Sequence, residues 1–543
     1  MFPDKKQRSF TVEPFVMWAL ILTLAIGFKA VLILQNRIDF NADEAIVALM
    51  GRHILQGERP IFFYGQAYMG SLDAYLVALA FRLFGETVLS IRIVQVVLYL
   101  LTVILSVRIA QLFFSSRRAG WLTGLLLAVP TVNFSLYTTA SLGGYGEALL
   151  LGSLSLLIGW KIRQSADKNE RKESPYFWLF LFGLIAGLGF WANALSLVYS
   201  IPALIYASLG FRQQTLKTRI AAGLVVFFSA CLGAFPWFVF AFSGGIGKLL
   251  HELTGGAVAV EGGSWFLMVY NHLLSLLLLG FTVILGWRPP WAVTWLALPL
   301  LIVDLAAWIF VFWKVRQEET AEIRKNYHYL AWVVITLTIG FLFTSFGVDP
   351  SGRYFLPVTQ VLAIIAGGAL RNSTAKPFSG WIAVGAIVIY QCIGTIQCMQ
   401  TPVGITTQFY TPAQINMQAM PELIGFLEDQ NITCGYSNYW VSYPLAFLTQ
   451  EQVVLTPELP YHPDLRYTAR DNRYAAYNQI VADCANPAYI VTNNAPLESA
   501  LSAGLDKTGI TWAYQEIGDF HVYFNLSQKI SPENLNLYAA SAD

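Results

Sequence analysis

Apolar runs of about 20 residues recur along most of the chain and alternate with short polar connections. An α-helix needs a run of about this length to cross the hydrocarbon core of a bilayer. The pattern therefore predicts a polytopic α-helical membrane protein with about 11 transmembrane helices over residues 1–399. The predicted spans are 14–34, 91–114, 119–137, 149–160, 177–191, 195–209, 220–242, one span within 265–313, 330–346, 355–370 and 381–396.

The stretch 265–313 allows two interpretations, because an Arg-Pro-Pro sequence at 288–290 divides its apolar residues. It could hold two spans, or one re-entrant or interfacial segment followed by one span. Basic residues collect on the cytoplasmic side of membrane proteins. A single span leaves the basic cluster of residues 314–325 on the same side as the basic N-terminus, so we favour a single span. The first apolar run lacks a small-residue cleavage site and is predicted to be a signal anchor.

Residues 400–543 change character and become polar, with strand-like runs (QVVLTP, AYIVTNN, DFHVYFNL) and helix-like runs (PELIGFLEDQ, PLESALSAG). This mixture predicts a small α/β domain. An odd number of spans after a cytoplasmic N-terminus places this domain outside the cytoplasm. Cys434 and Cys484 lie in it, and an oxidising compartment would permit a disulfide between them. Two buried free thiols are the alternative.

The most polar part of the membrane region is the first predicted outer loop, residues 35–90. Acids held close to a bilayer are costly unless they have a function or a partner, so we predict that this loop forms an active site on the outer face of the membrane. The apolar run 71–84 within it is short for a span and predicts an interfacial helix. The loop carries Asp43, Glu44, Tyr64, Gln66, Tyr68 and Asp73.

The adjacent acids Asp43 and Glu44 suggest proton transfer. Neighbouring residues of a helix point in different directions, so one acid could face a substrate while the other meets a partner such as Arg52. A carboxylate that takes a proton from an attacking hydroxyl or amine contributes about 10²–10⁴-fold in rate. The alternative is a structural role, in which Asn41 or Asp43 caps the following helix.

Two later segments carry further candidates. Glu147 begins an inbound span after a glycine-rich turn, where it could serve the site or interact with the helix dipole. Arg353 and Tyr354 follow Asp349 at the outer end of an inbound helix. A guanidinium there could bind a lipid phosphate and stabilise a leaving group, or extend from an interfacial position to water. Two other outer-loop acids are Glu252 and Glu261.

The amino-acid composition limits the kinds of molecule that the protein is expected to bind. Only 12% of the 543 residues are charged, the net charge is +1 and the mean hydropathy is +0.53. This balance indicates membrane lipids as neighbours and no nucleic acid. We find no HxxxH, CxxC or DxD spacing and no nucleotide-binding glycine pattern. No cofactor is therefore predicted with certainty, a divalent cation is left open, and His53 is predicted to be a surface histidine.

The loop pair Asp43-Glu44, the run YGQAYMGSLDAYLVALAFRLFG and the following SIRIVQVVLYLLTVILSVRIAQLFF resemble the N-terminal half of GT-C membrane glycosyltransferases. The most similar groups are the dolichyl-phosphate-mannose protein mannosyltransferases of family 39 and the bacterial lipid A aminoarabinose transferases. The run GRYFLPV resembles their late outer-loop segment. The resemblance implies inverting transfer of a sugar from a polyprenyl-phosphate donor to a lipid, glycan or protein acceptor at the outer face of a bacterial plasma membrane.

The resemblance also assigns roles. Asp43 matches the family's essential first-loop acid, and Arg353 matches a position near the lipid phosphate. Glu147 stands where members often have Asp. Gln66 replaces an acid or His-Pro, which leaves the acceptor open. The candidate catalytic residues are Asp43 and Glu44, and the candidate substrate- or donor-binding residues are Tyr64, Gln66, Tyr68, Asp73, Glu147, Arg353 and Tyr354.

Two other functions fit a polytopic protein. A transporter or flippase of lipid-linked or sugar solutes would place acids at mid-span and half-helices at the midplane, whereas most acids here lie in outer loops and the sequence shows no internal symmetry. A surface-polysaccharide polymerase or ligase would favour a large outer loop rich in Arg and His, whereas the longest mid-chain outer loop is short and rich in glycine.

Overall fold

The computed structural model describes residues 12–168, 175–252, 264–349, 351–371 and 378–539. Most of them are helical, and the prediction of a polytopic helical membrane protein is confirmed. Within these residues, eight helices are long and apolar enough to cross a membrane. They are Glu13–Leu34, Val88–Phe113, Ala194–Phe211, Leu216–Gly233, Trp265–Ile284, Leu298–Arg316, Ala321–Phe343 and Ser379–Met399, with shorter apolar helices at Tyr176–Ala192 and Arg353–Ala369.

The membrane part contains eighteen α-helices in its described residues and one small hairpin. The helices are α1 Val12–Leu34, α2 Ala42–Leu55, α3 Leu72–Phe84, α4 Val88–Phe113, α5 Arg117–Ala128, α6 Val132–Tyr137, α7 Tyr145–Lys168, α8 Pro175–Ala192, α9 Leu197–Ser208, α10 Leu216–Gly233, α11 Phe235–Phe240, α12 Ile246–His251, α13 Trp265–Ser275, α14 Phe281–Ile284, α15 Leu301–Arg316, α16 Ala321–Phe343, α17 Leu356–Ala369 and α18 Ser379–Met399. The hairpin strands are β1 Phe62–Phe63 and β2 Gln66–Gly70.

Within the stretch that allowed two interpretations, residues 265–291 begin and end on the same side of the membrane part. Trp265 begins α13 and stacks on Phe343 at the end of α16, with the ring centroids 5.8 Å apart. After α14 the chain turns back, and the carbonyl of Trp291 accepts a hydrogen bond from Thr411 of the C-terminal part at 3.3 Å. Trp265–Ile284 is long enough to span, but these contacts agree with the re-entrant segment that the basic residues favoured.

The C-terminal part is the predicted small α/β domain. Its elements are α19 Met420–Asp429, β3 Cys434–Tyr436, α20 Tyr439–Leu448, β4 Val454–Thr456, α21 Ala476–Asp483, β5 Ala488–Thr492, α22 Ala495–Thr508, β6 Ala513–Ile517 and β7 Phe520–Phe524. The five strands lie in the order β4-β3-β5-β7-β6, with β3 parallel to β4 and β5, and β7 antiparallel to β5 and β6. The central strand β5 is buried along its whole length, as expected for an apolar strand covered on both faces.

The first-loop helix α2 is fixed to the bundle by a buried ion pair. Asn41 caps α2, because its side chain accepts the N–H of Glu44 at 3.1 Å. Arg92 of α4 donates to both carboxylate oxygens of Glu44, at 3.1 and 3.0 Å, and to the carbonyl of Ile38 at 2.9 Å. Both charged side chains are almost completely buried. Burial raises the pKa of Glu44, although Arg92 opposes this shift.

The C-terminal domain rests on the other end of α2. Arg52 donates to the carbonyl of Phe447 at 3.2 Å, and His53 lies 3.0 Å from the carboxylate of Glu451. Tyr477 donates to the same carboxylate at 2.9 Å. We call this interdomain cluster the α2 latch: Arg52, His53, Glu451 and Tyr477. The prediction that His53 is a surface histidine is wrong, because the docked domain buries its ring.

Replacing Glu44 by Gln is expected to lower the free energy of unfolding by roughly 3–5 kcal/mol, because Arg92 would stay buried without its counter-charge. Thermal unfolding of the full chain in detergent measures this loss. The matched control is Glu322→Gln, which breaks an exposed pair with Lys325 at 3.2 Å and should cost less than about 1 kcal/mol. Equal losses in the two variants would contradict the assignment.

Candidate active site

A cavity of about 330 Å³ lies where the first loop, the membrane helices and the C-terminal domain meet. Its volume falls in the range of roughly 300–1,000 Å³ that is typical of ligand pockets. The membrane part lines it with Asp43, Gln66, Tyr68, Tyr137, Tyr145, Asp349 and Arg353. The C-terminal part lines it with Thr407, Gln408, Tyr410, Tyr439, Trp440, Tyr461, His462, Asp471 and Arg473.

Asp43 lies in the first turn of α2 and faces this cavity. The hydroxyl of Tyr439 donates to its Oδ1 at 2.5 Å. The guanidinium of Arg473 lies over the Tyr439 ring, 5.5 Å from its centroid. Gln66, with its amide oxygen turned towards Arg473, accepts from both terminal nitrogens at 2.6 and 2.8 Å. Asp43 is therefore held next to a hydrogen-bond donor and a cation, and Gln66 fixes that cation.

Arg353 occupies the membrane side of the cavity, in an ion pair with Asp349. Its guanidinium lies over the ring of Tyr354, 5.0 Å from the centroid. The preceding Gly352 has φ +100°, a conformation that favours glycine, and Asn133 donates to its carbonyl at 2.9 Å. This turn directs Arg353 into the cavity, while Tyr354 supports the guanidinium from outside the lining.

Tyr68 of β2 lies close to both arginines. Burial raises the pKa of its hydroxyl, and the charges of Arg353 and Arg473 oppose that shift. A phenol that keeps its proton is a hydrogen-bond donor, so Tyr68 can donate to a substrate oxygen that lies between the two guanidinium groups.

The C-terminal wall of the cavity was missed by sequence reasoning. Asp471 and Arg473 lie in the loop before α21, and Tyr443 ties this loop down by donating to the Asp471 carbonyl at 3.1 Å. A disulfide joins Cys434 of β3 to Cys484 at the end of α21. A clue was available in the run ARDNRYAAY, which concentrates charges and aromatic rings between short elements.

Two candidates of the first loop lie elsewhere. Glu44 forms its buried ion pair with Arg92 on the bundle side of α2, so the structure gives it a positioning role and not a catalytic one. Tyr64 donates to Glu58 at 2.6 Å and stacks on Tyr474 at 4.7 Å, next to the α2 latch. Neither residue lines the cavity, because each is committed to holding α2 or the C-terminal domain in place.

Asp73 and Glu147 also lie outside the cavity lining. Asp73 is buried and accepts hydrogen bonds from Gln95 at 2.9 Å and from Ser141 at 2.6 Å. Glu147 is also buried, and neither of its carboxylate oxygens has a hydrogen-bond partner among the described residues. Asp73 therefore supports the loop that leads to Tyr145, which does line the cavity.

The remaining outer-loop acids do not join this site in the described residues. Glu252 does not line the cavity and pairs with Arg470 at 4.0 Å. Glu261 lies outside the described residues. Of the later outer-loop acids, Asp349 lines the same cavity as Asp43.

Comparisons with known proteins agree with this architecture. The ArnT structures of Cupriavidus metallidurans superpose with TM-scores of 0.60 without ligand and 0.57 with bound undecaprenyl phosphate. They share 13% and 14% sequence identity with this chain, covering 97% and 98% of it and 100% of ArnT. The chain has the GT-C fold. The predicted resemblance to GT-C enzymes of the aminoarabinose transferase type is confirmed at the level of the fold.

Sequence comparisons agree with the GT-C assignment. The sequence model of the dolichyl-phosphate-mannose-protein mannosyltransferase family matches residues 71–238. The undecaprenyl phosphate-alpha-4-amino-4-deoxy-L-arabinose arabinosyl transferase of Pseudomonas aeruginosa (strain UCBPP-PA14) is 24% identical over 387 residues. This match covers 68% of the chain and 64% of the relative, so the chain spans less than two thirds of that relative's length.

The raised pKa of Asp471 is expected to make the stability of the protein depend on pH. Burial raises its pKa from 3.8 to about 7, while Arg473 lowers it and Asp43 raises it. The folded chain therefore retains a proton that the unfolded chain loses above pH 4, so the free energy of unfolding falls as pH rises from about 4 to 7. Asp471→Asn should remove up to about 4 kcal/mol of this fall.

Thermal unfolding of the full chain in detergent between pH 5 and pH 8 measures this effect. Asp464→Asn is the matched control, because Asp464 lies in the same domain and its side chain is 61% exposed. If Asp471→Asn and wild type had the same pH dependence, the assignment of a buried titrating Asp471 would be wrong.

Proposed function

We propose that the chain is a glycosyltransferase that moves a sugar from a polyprenyl-phosphate donor to an acceptor. One observation carries this proposal: Asp43 and Arg353 face the same cavity from different elements of a GT-C fold. The names of the matching family and of the arabinosyl transferase relative support it. The undecaprenyl phosphate bound by ArnT supports a lipid-linked donor.

In this reaction Arg353 binds the donor phosphate at the membrane side of the cavity. The acceptor oxygen forms a bond to the anomeric carbon, and the bond from that carbon to the phosphate oxygen breaks. The acceptor proton passes to Asp43, and the electron pair leaves with the polyprenyl phosphate. A direct displacement of this kind inverts the anomeric centre, through a transition state with oxocarbenium character.

We also propose that the chain lies in a bacterial plasma membrane with its N-terminus in the cytoplasm and the C-terminal domain outside. Basic residues lie at the helix ends away from the C-terminal domain, as the positive-inside rule requires of a cytoplasmic face. The disulfide fits an oxidising compartment. The basic ends carry Arg117, Arg118, Arg212, Lys217, Arg219, Lys314, Arg316, Arg324, Lys325 and Arg371.

A requirement for a divalent cation stays a prediction. Among the described residues no group of three or more His, Cys, Asp or Glu side chains is arranged to hold a metal ion. The cavity carboxylate Asp349 is paired with Arg353, and Asp43 accepts from Tyr439. We therefore assign no step to a metal, and transfer assays with and without EDTA test the requirement.

Asp43→Asn is expected to lower transfer by about 10²–10⁴-fold, because the amide cannot take the acceptor proton. Mass spectrometry of envelope lipids and glycans compares cells that carry the wild type, the variant or no enzyme. Asp429→Asn is the control, because this exposed acid lies at the end of α19. Full transfer by Asp43→Asn at equal protein level would overturn the assignment of the base.

Arg353→Met is expected to lower kcat by roughly 10²–10³-fold, the usual effect of removing a group that stabilises developing charge. Arg353→Lys should restore part of the rate, because lysine keeps the charge but not the fork that binds two oxygens. Turnover of a purified polyprenyl-phosphate sugar measures both. Equal rates for Arg353→Met and Arg353→Lys would show that the charge has no role.

A further inference from the structure

Five aromatic rings form a continuous belt on the C-terminal side of the cavity, from Tyr439 through Trp440, Tyr461 and His462 to Tyr410. Successive ring centroids are 5.2, 6.1, 4.4 and 5.2 Å apart. We call these five residues the aromatic belt. The belt is not simply part of the hydrophobic core, because Tyr410 at its outer end is 42% exposed. A row of rings that faces a cavity is typical of a ligand surface.

The belt leads directly to the proposed base. Its inner member, Tyr439, holds the Asp43 carboxylate through its hydroxyl. Arg353, which is assigned to the donor phosphate, comes from the membrane part of the same cavity. A molecule stacked along the belt would therefore meet Asp43 from the C-terminal side, whereas the donor reaches the site from the membrane.

The charges beside the belt favour an uncharged ligand. Asp43 and the guanidinium of Arg473 both line this part of the cavity, so its wall carries one charge of each sign. Gln66 and the ring of Tyr439 hold that guanidinium in place. An anionic acceptor would be repelled by the Asp43 carboxylate, and a cationic acceptor by the guanidinium. Burial and the nearby Arg466 lower the pKa of His462, which keeps its ring neutral at pH 7.

A polar atom next to the belt still needs a partner. The Thr407 hydroxyl lines the cavity and is buried, yet it has no hydrogen-bond partner within the described part of the chain. Unsatisfied buried hydroxyls are costly, so one inside a cavity indicates a group that a ligand completes. Gln408 and Asp471 add an amide and a carboxyl group to the same wall.

We propose that the aromatic belt is the acceptor subsite and that it binds an uncharged glycan with one hydroxyl directed at Asp43. This inference rests on the proposed function and deepens it by naming the acceptor class. A pyranose ring has apolar C–H faces that stack on aromatic rings and a rim of hydroxyls that bind polar groups. The aromatic belt would supply the stacking faces, and the polar groups of Thr407, Gln408 and Asp471 would bind the hydroxyls.

Saturation-transfer NMR on the purified full chain in detergent, without donor, tests the acceptor class. The probes are two neutral saccharides (maltotriose and N,N′-diacetylchitobiose), a hexapeptide containing Ser and Thr, and glucose 1-phosphate. We expect at least one neutral saccharide to bind at millimolar concentration. We expect Tyr461→Ala to weaken this binding by about tenfold or more through loss of the stacking face. Tyr461→Phe keeps the face and should bind like the wild type.

Tyr514→Ala is the matched control, because Tyr514 lies on β6, is 47% exposed and does not line the cavity. The acceptor inference is overturned if no neutral saccharide binds, if the peptide or glucose 1-phosphate binds in preference, or if Tyr461→Ala binds the saccharide as tightly as the wild type. This assay needs neither donor nor turnover. Its failure is therefore distinct from retained transfer by Asp43→Asn, which would overturn the proposed function.

Discussion

The buried ion pair between Glu44 and Arg92 sets the position of the whole site, because it fixes α2 on the bundle. Taking two charges out of water is expensive, and here the cost is offset because both carboxylate oxygens accept from the guanidinium, which also donates to the Ile38 carbonyl. Its value lies in geometry more than in stability. With Glu44 turned into the bundle, the neighbouring Asp43 points about 100° away around α2, and the C-terminal domain contacts it there through Tyr439.

The C-terminal domain completes the site and does not merely cover it. The α2 latch holds the domain at one end of the helix, where burial opposes the ionisation of Glu451 but hydrogen bonds from His53 and Tyr477 outweigh it and lower its pKa. The Cys434–Cys484 disulfide fixes the end of α21. Between these two anchors, the loop with Asp471 and Arg473 reaches the cavity. The proposed base in the membrane part thus accepts a hydrogen bond from a group that lies about 400 residues further along the chain.

Hydropathy was sufficient to predict a polytopic helical membrane part and the α/β tail, because bilayer thickness sets the length of apolar runs and half-buried strands alternate in polarity. It did not give the number of spans, since about 11 were predicted and the described residues contain eight helices of spanning length. Positive charge also favoured a single span within 265–313, preceded by a re-entrant or interfacial segment. The short elements β3, α20 and α21 show no such pattern in the sequence. Asp43 was found because an acid beside a bilayer is unusual, but the same argument selected Asp73 and Glu147, which are buried beneath the site. Local sequence cannot separate an acid that faces a cavity from one that is bonded inside.

The long-range half of the site could not be predicted for the same reason. Tyr439, Asp471 and Arg473 are ordinary residues of a polar tail until the domain docks on α2. Arg92 is another case, since in sequence it is one charge within an apolar run. Only the fold shows that Arg92 pairs with Glu44, which leaves Asp43 as the acid of the pair that can act on a substrate.

The ion pair of Arg353 with Asp349 has a consequence for the proposed reaction. In the free site the guanidinium already has a counter-charge, so a donor phosphodiester with a single negative charge must compete with the Asp349 carboxylate. As the bond to the sugar breaks, the leaving phosphate gains negative charge and competes more strongly. The interaction with Arg353 therefore grows towards the transition state, and only interactions that grow in this way accelerate the chemical step. A free arginine would bind the donor more tightly but would discriminate less between donor and transition state.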